Sequence, residues 1–173
     1  LKYTGDPQEL IIPGTTTGGK FMYSLDGETF TTTIPTGKDV GNYKVYYKIV
    51  GDDNYNGTIG TTVQDLDVDI AKGELVTEGT GEAVGYFGDS IRDYTVTGFI
   101  VKIGDKVVGG KWIIEDDAIP GDDDTNTYIA VFIPEEDEGN FEPLTQEVTV
   151  KILKDHIDRI EVTGLSKVEY LYG

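Results

Sequence analysis

The chain has 173 residues, with 32 acidic against 14 basic side chains and a net charge of −18; its length fits one domain or two small ones. Such a charge repels phosphate backbones and anionic lipid surfaces, which argues against nucleic acid as a partner and against direct membrane contact. There is no cysteine, so disulfides, thiolate catalysis and cysteine-ligated zinc are excluded, and no apolar run approaches the about 20 residues a membrane-crossing helix needs. Gly, Thr, Val, Ile and Tyr are abundant while Ala, Met and Gln are scarce, a composition of strands and turns. The acidity is concentrated beyond residue 72: residues 73–155 hold 19 acids and 6 bases, residues 1–72 hold 10 and 6.

Taken in chain order, a set of anchors repeats. Tyr3-Thr4-Gly5-Asp6 returns as Tyr86-Phe87-Gly88-Asp89, and Gly18-Gly19-Lys20-Phe21 as Gly109-Gly110-Lys111-Trp112. Ile34 precedes Tyr43 by nine residues, as Ile119 precedes Tyr128, and Asn54-Tyr55 matches Asn140-Phe141. Leu171-Tyr172-Gly173 opens a third copy; Gly5, Gly88 and Gly173 are spaced by 83 and 85 residues. This spacing predicts module 1 over residues 1–72, module 2 over 73–155 and the start of a third over 156–173, with short polar joints at Ala71-Lys72-Gly73 and Lys154-Asp155-His156.

Within this frame the strands are legible as period-two alternation. Ser24-Leu25-Asp26-Gly27-Glu28 reads as a hairpin-type turn. Tyr43, Val45, Tyr47 and Ile49 share the buried phase of one strand, with Lys44, Tyr46 and Lys48 on the other. Leu66, Val68 and Ile70 alternate at the end of module 1. In module 2, Ile103-Gly104-Asp105-Lys106 supplies a second turn, and Thr127 to Ile133 reads as a central strand covered on both faces. Val148, Val150 and Ile152 close the module. No stretch has sustained helical periodicity. The predicted class is all-β, with two tandem small β-sandwich modules and the first strand of a third.

Four segments of module 1 run Tyr3-Thr4-Gly5-Asp6-Pro7-Gln8-Glu9-Leu10, Tyr23-Ser24-Leu25-Asp26-Gly27, Gly41-Asn42-Tyr43-Lys44-Val45-Tyr46-Tyr47-Lys48 and Gly51-Asp52-Asp53-Asn54-Tyr55. They resemble the bacterial immunoglobulin-like and related repeat modules of long multidomain surface proteins in gut-dwelling and other Gram-positive bacteria. Module 2 keeps the anchors but departs at Asp122-Asp123-Asp124 and Glu135-Glu136-Asp137-Glu138. The resemblance implies an immunoglobulin-like sandwich, an extracellular location at the bacterial cell surface, secreted or wall-anchored, and a stalk or adhesive role. It transfers no catalytic residue.

Paired carboxylates serve glycoside hydrolysis, but the acids fall in turns and on polar strand phases, where solvated surface is the simpler reading. The single histidine, His156, sits in a joint, a poor platform for a triad. Asp122-Asp123-Asp124 and Glu115-Asp116-Asp117 offer oxygen ligands for calcium without the alternating spacing of a calcium loop. Trp112, Tyr43, Tyr47 and Phe132 are assigned to the core, while Tyr46, Tyr55 and Phe141 are the expected exposed aromatics. No catalytic, cofactor or metal residue is therefore predicted.

The expected function is a non-catalytic spacer whose partners are the neighbouring modules of its own polypeptide. The alternatives are an adhesin module that binds a glycan or host protein, and an accessory domain of a polysaccharide-degrading enzyme. Module 1 starts almost on its first anchor, whereas Lys72 to Val84 and Ile157 to Glu169 precede the later copies. Its first strand is thus expected to be missing, and the tail Ile157 to Val168 of one molecule is expected to add to that open edge in another.

Overall fold

The computed structural model describes residues 1–52, 62–121 and 126–153. Asn54, Tyr55, the Asp122–Asp124 run, His156 and the expected third copy, 156–173, lie outside the described residues. Those described form an all-β structure of eleven strands: β1 (Gln8–Glu9), β2 (Gly19–Ser24), β3 (Thr36–Gly37), β4 (Gly41–Gly51), β5 (Gln64–Ile70), β6 (Val76–Tyr86), β7 (Thr95–Ile103), β8 (Lys106–Val107), β9 (Gly110–Ile114), β10 (Thr127–Pro134) and β11 (Leu144–Leu153). Helical backbone among these residues is confined to two three-residue 3-10 turns, Ile91–Asp93 and Glu138–Asn140.

The first 72 residues form a three-stranded antiparallel sheet, β2-β4-β5, and a small β1-β3 ladder. Residues beyond 73 form one six-stranded sheet in the order β8-β7-β6-β11-β10-β9. Within it β6 and β11 run parallel, Glu82 to Tyr86 against Thr149 to Leu153. The connection between them is long enough for the crossover a parallel pair requires.

Alternation locates the core on β4, β10 and β11, with two differences from the sequence expectation. Val45 of β4 is fully buried, but Tyr46 on the opposite phase is half-buried too. The turn after β2 causes this: Gly27, at φ 76°, lies against the Tyr46 ring. Ser24 and Asp26 hold that turn, the Asp26 carboxylate accepting the backbone N–H groups of Glu28 and Thr29 at 2.8 Å each. The second difference is β10, which is not covered on both faces. Tyr128, Ala130 and Phe132 are buried while Ile129 is exposed and Val131 half-buried, because the apolar cluster lies against one face of the sheet.

Two apolar clusters result. Ala83, Ile91, Tyr94, Ile114, Tyr128, Ala130 and Val148 form one within the six-stranded sheet. The other joins Tyr3, Leu10, Val45 and Ile70 of the first part to Ile103 and Phe141 of the second. Neither half of this second cluster is complete without the other, and each aliphatic side chain fully buried in it contributes about 1.5–3 kcal/mol.

The last strands of the two sheets differ in their surroundings. β11 lies between β10 and β6, and Val148 is 1 % exposed; Leu66 on β5 is 50 % exposed. β5 is paired along one side by β4. On the other side, among the described residues, the first three residues meet its end: Ala71 N–H donates to Leu1 C=O and Tyr3 N–H to Ala71 C=O, both at 2.9 Å.

A bulge between Gly79 and Glu82 lets β6 bend so that its first half pairs with β7 alone and its second half with β7 and β11. It depends on Gly98 (φ 93°), where an added Cβ would lie 2.1 Å from the Thr80 carbonyl oxygen. Both the backbone angle and the lack of space demand glycine there. Gly98→Ala is expected to cost about 1–3 kcal/mol or more, read as a lower urea midpoint with an unchanged slope.

Candidate functional site

The most elaborated polar site is the joint between the two parts. It is built mainly by the β10–β11 connection. Asp137 adopts left-handed backbone (φ 56°) and the following 3-10 turn is closed by Asn140 N–H donating to the Asp137 carbonyl at 2.8 Å. This tight reversal brings Asp137, Asn140 and Phe141 together against the first part. The tolerance of Asp for left-handed backbone makes the turn accessible without glycine.

Phe141 meets the Tyr3 ring edge to face, with centroids 5.3 Å apart and planes at 86°, the geometry that the ring quadrupoles favour. Tyr3 is 3 % exposed. Its hydroxyl donates to Asp137 Oδ2 at 2.7 Å, and Lys38 Nζ reaches the same oxygen at 3.0 Å. Asn140 is used at both ends of its amide: Oδ1 accepts Val40 N–H at 2.8 Å and Nδ2 donates to Asp39 Oδ1 at 3.0 Å. Its backbone carbonyl accepts Gly73 N–H at 2.9 Å, and Gly73 C=O accepts Glu142 N–H at 2.9 Å. The linker is thereby stitched to the loop.

A second arm comes from the β7–β8 hairpin. Ile103 and Val108 pack on the shared core, and Lys106 pairs with Asp6. Gly73 permits this approach, since a Cβ there would lie 2.6 Å from the Tyr3 carbonyl oxygen and 2.7 Å from Ile103 Cδ1. A crevice of about 210 Å³ remains between the two arms, walled by Tyr3, Ile103, Lys106, Asp137 and Phe141.

The electrostatics follow from the contacts. The Tyr3 hydroxyl bond, then that of Lys38, holds the Asp137 carboxyl below the usual carboxylate range. Burial, reinforced by Asp137, pushes the Tyr3 phenol up, and the bond to Asp137 raises Lys38. At neutral pH the trio is therefore locked as phenol, carboxylate and ammonium.

The aromatic candidates are redistributed. Phe141, expected to be exposed, is buried in the joint. Trp112 is half-buried, tilted between Phe99 at 4.9 Å and Phe132 at 5.2 Å, on a shallow groove between β7 and β9. Tyr86 and Phe87, at the end of β6, are the exposed aromatics that strand periodicity alone did not single out. Of the acidic candidates, Asp117 pairs with Arg92 at 3.0 Å and Asp116 accepts Ala118 N–H at 2.8 Å, so these two serve the local turn. The members of the joint were visible in sequence only as anchors: Tyr3, Asn140 and Phe141 each belong to a repeated motif, but nothing in the motifs says that they meet.

No family model, curated protein or solved structure matches the chain. What stands is its all-β class and the geometry of the joint.

Because the Asp137 pKa is depressed on folding, its contribution to stability is complete above the ordinary carboxylate pKa of about 4 and is lost as pH falls from there through the lowered value. Asp137→Asn is expected to flatten the acid limb of the stability profile between about pH 5 and 2, checked by denaturant melts across that range. Asp26, also held low by Ser24 and by the Thr29 and Glu28 N–H groups, retains its own acid dependence in the variant.

Proposed function

We propose that the chain is a non-catalytic spacer of an extracellular bacterial surface protein. In this reading two immunoglobulin-like β-modules, residues 1–72 and 73–155, stand in tandem, and a third begins at 156. The observation that carries it is the joint, in which the Tyr3–Phe141 contact and both ends of Asn140 fix one part against the other. A rod that transmits position or force along a surface needs connections that do not swivel. An apolar contact supplies the adhesion, and directional hydrogen bonds on its rim supply the fixed angle. Inter-domain motion is the default wherever such an interface is small and polar; here the apolar core itself runs through the joint.

The repeat reading draws support from the strand orders. β2-β4-β5 and β9-β10-β11 have the same antiparallel arrangement, and the anchors Gly19-Lys20-Phe21 and Gly110-Lys111-Trp112 lie on the corresponding strands β2 and β9. The adhesin and accessory-domain alternatives have less support, since one of their expected aromatics, Phe141, is committed to the joint. A further element of the proposal is addition of the tail 157–168 of a second molecule beside β5, on the side away from β4. Light scattering is expected to show a mass that rises with concentration and falls back to that of a monomer when the tail is removed. A monomer at every concentration would reject that element.

Phe141→Ala tests the spacer reading. It removes a buried aromatic ring, a change that costs about 3–5 kcal/mol where it can be measured. The wild-type chain is expected to scatter as one elongated body of fixed dimensions at low and high salt. The variant is expected to broaden the distance distribution and to melt in two steps. An unchanged scattering profile in the variant would rule out a rigid joint as the basis of function.

A further inference from the structure

We infer that Tyr86 and Phe87, with Asp89 beside them, form the docking face for a further module of the same kind continuing from Leu153, which would grip it as the second part grips Tyr3. The inference rests on the tandem reading above and names the surface through which the array extends.

The joint within the chain is the template. Tyr3 N–H donates to Ala71 C=O, immediately after β5, at 2.9 Å; Phe87 N–H donates to Leu153 C=O, at the end of β11, at 3.2 Å. Phe87 therefore holds the place in the second part that Tyr3 holds in the first. The sequence anchors set Tyr3 against Tyr86; the backbone bonds shift that match by one residue. A glycine with left-handed backbone follows in each place at a different offset, Gly5 (φ 81°) two residues after Tyr3 and Gly88 (φ 92°) one residue after Phe87.

The two places differ in what lies on top of them. Tyr3 is 3 % exposed and Phe87 55 %, with Tyr86 exposed next to it. At Gly5 the side chains of Lys106 and Ile103 stand within 4.0 Å of an added Cβ, whereas at Gly88 nothing among the described residues lies within 4 Å. Asp6, three residues after Tyr3, has its Lys106 partner; Asp89, two residues after Phe87, is exposed and, among the described residues, has no cationic partner. The equivalent aromatic position is thus covered once and bare once. The missing cover is definable: an aromatic counterpart of Phe141 against Phe87, and a basic counterpart of Lys106 against Asp89. Phe87 has no hydroxyl, so this second joint does not require a counterpart of Asp137. A second copy of the chain is a poor occupant, because Phe141 and Lys106 of each copy are already engaged on its own Tyr3 and Asp6.

The test compares the full chain with a longer chain in which residues 72–153 follow Leu153 a second time. Phe87→Ser is expected to leave the melting midpoint of the full chain essentially unchanged. In the longer chain it is expected to lower the midpoint of the added unit by about 4 °C or more, and Phe141→Ala confined to the added copy is expected to do the same. Asp89→Lys provides a separate probe, expected to weaken coupling in the longer chain alone. Equal effects of Phe87→Ser in both chains would show that Phe87 serves its own fold, and no effect in either would show that the face is unused; each overturns the inference. The underlying spacer reading fails separately, by an unchanged scattering profile for Phe141→Ala at the first joint.

Discussion

The burial of one tyrosine governs the rest of the structure. Tyr3 lies beside the end of β5 and is packed by Leu10, Val45 and Ile70 of its own part. Phe141 and Ile103 complete its surroundings. A buried phenol needs a partner for its hydroxyl, and Asp137 provides one. The constraint then propagates: Asp137 must turn through left-handed backbone to reach Tyr3, Asn140 follows in a tight turn, and Gly73 must lack a side chain so that linker, loop and hairpin converge.

This arrangement explains why the six-stranded sheet is wider than its neighbour. β7 and β8 have no strand counterparts among the described residues of the first part, and their hairpin carries Ile103, Lys106 and Val108 out to the joint. The added ladder is therefore structural reach. It also accounts for the bulge in β6, which has to pair with β7 along most of its length and with β11 along only its second half. Small β-modules without disulfides have limited cores, and sharing one across a joint is a physical answer to that limit.

Much of this architecture was legible in the residues. Period-two alternation placed β4, β5 and β11, the Gly and Asp clusters placed the turns after β2 and β7, and scarcity of helix formers announced the all-β class. The misplacements share one cause. Tyr46 is half-buried because a turn folds over it, β10 is covered on one face because the apolar cluster lies against one side of its sheet, and Phe141 is buried because it belongs to another part's core. Periodicity reports which side of a strand is apolar, and says nothing about what is brought against it from far along the chain.

By itself, the sequence determined the elements, their turns and the recurrence of the anchors, because these depend on local backbone preference and on the two-residue period of a strand. Only the tertiary structure decided which anchors carry weight. Tyr3 and Phe87 stand at equivalent backbone positions and differ in burial by about half of their surface, a difference set entirely by whether a loop 134 residues away in sequence closes over the ring. Such pairing reflects the geometry of the joint, where a few hydrogen bonds and one ring contact select a single orientation from many that the same strands would allow.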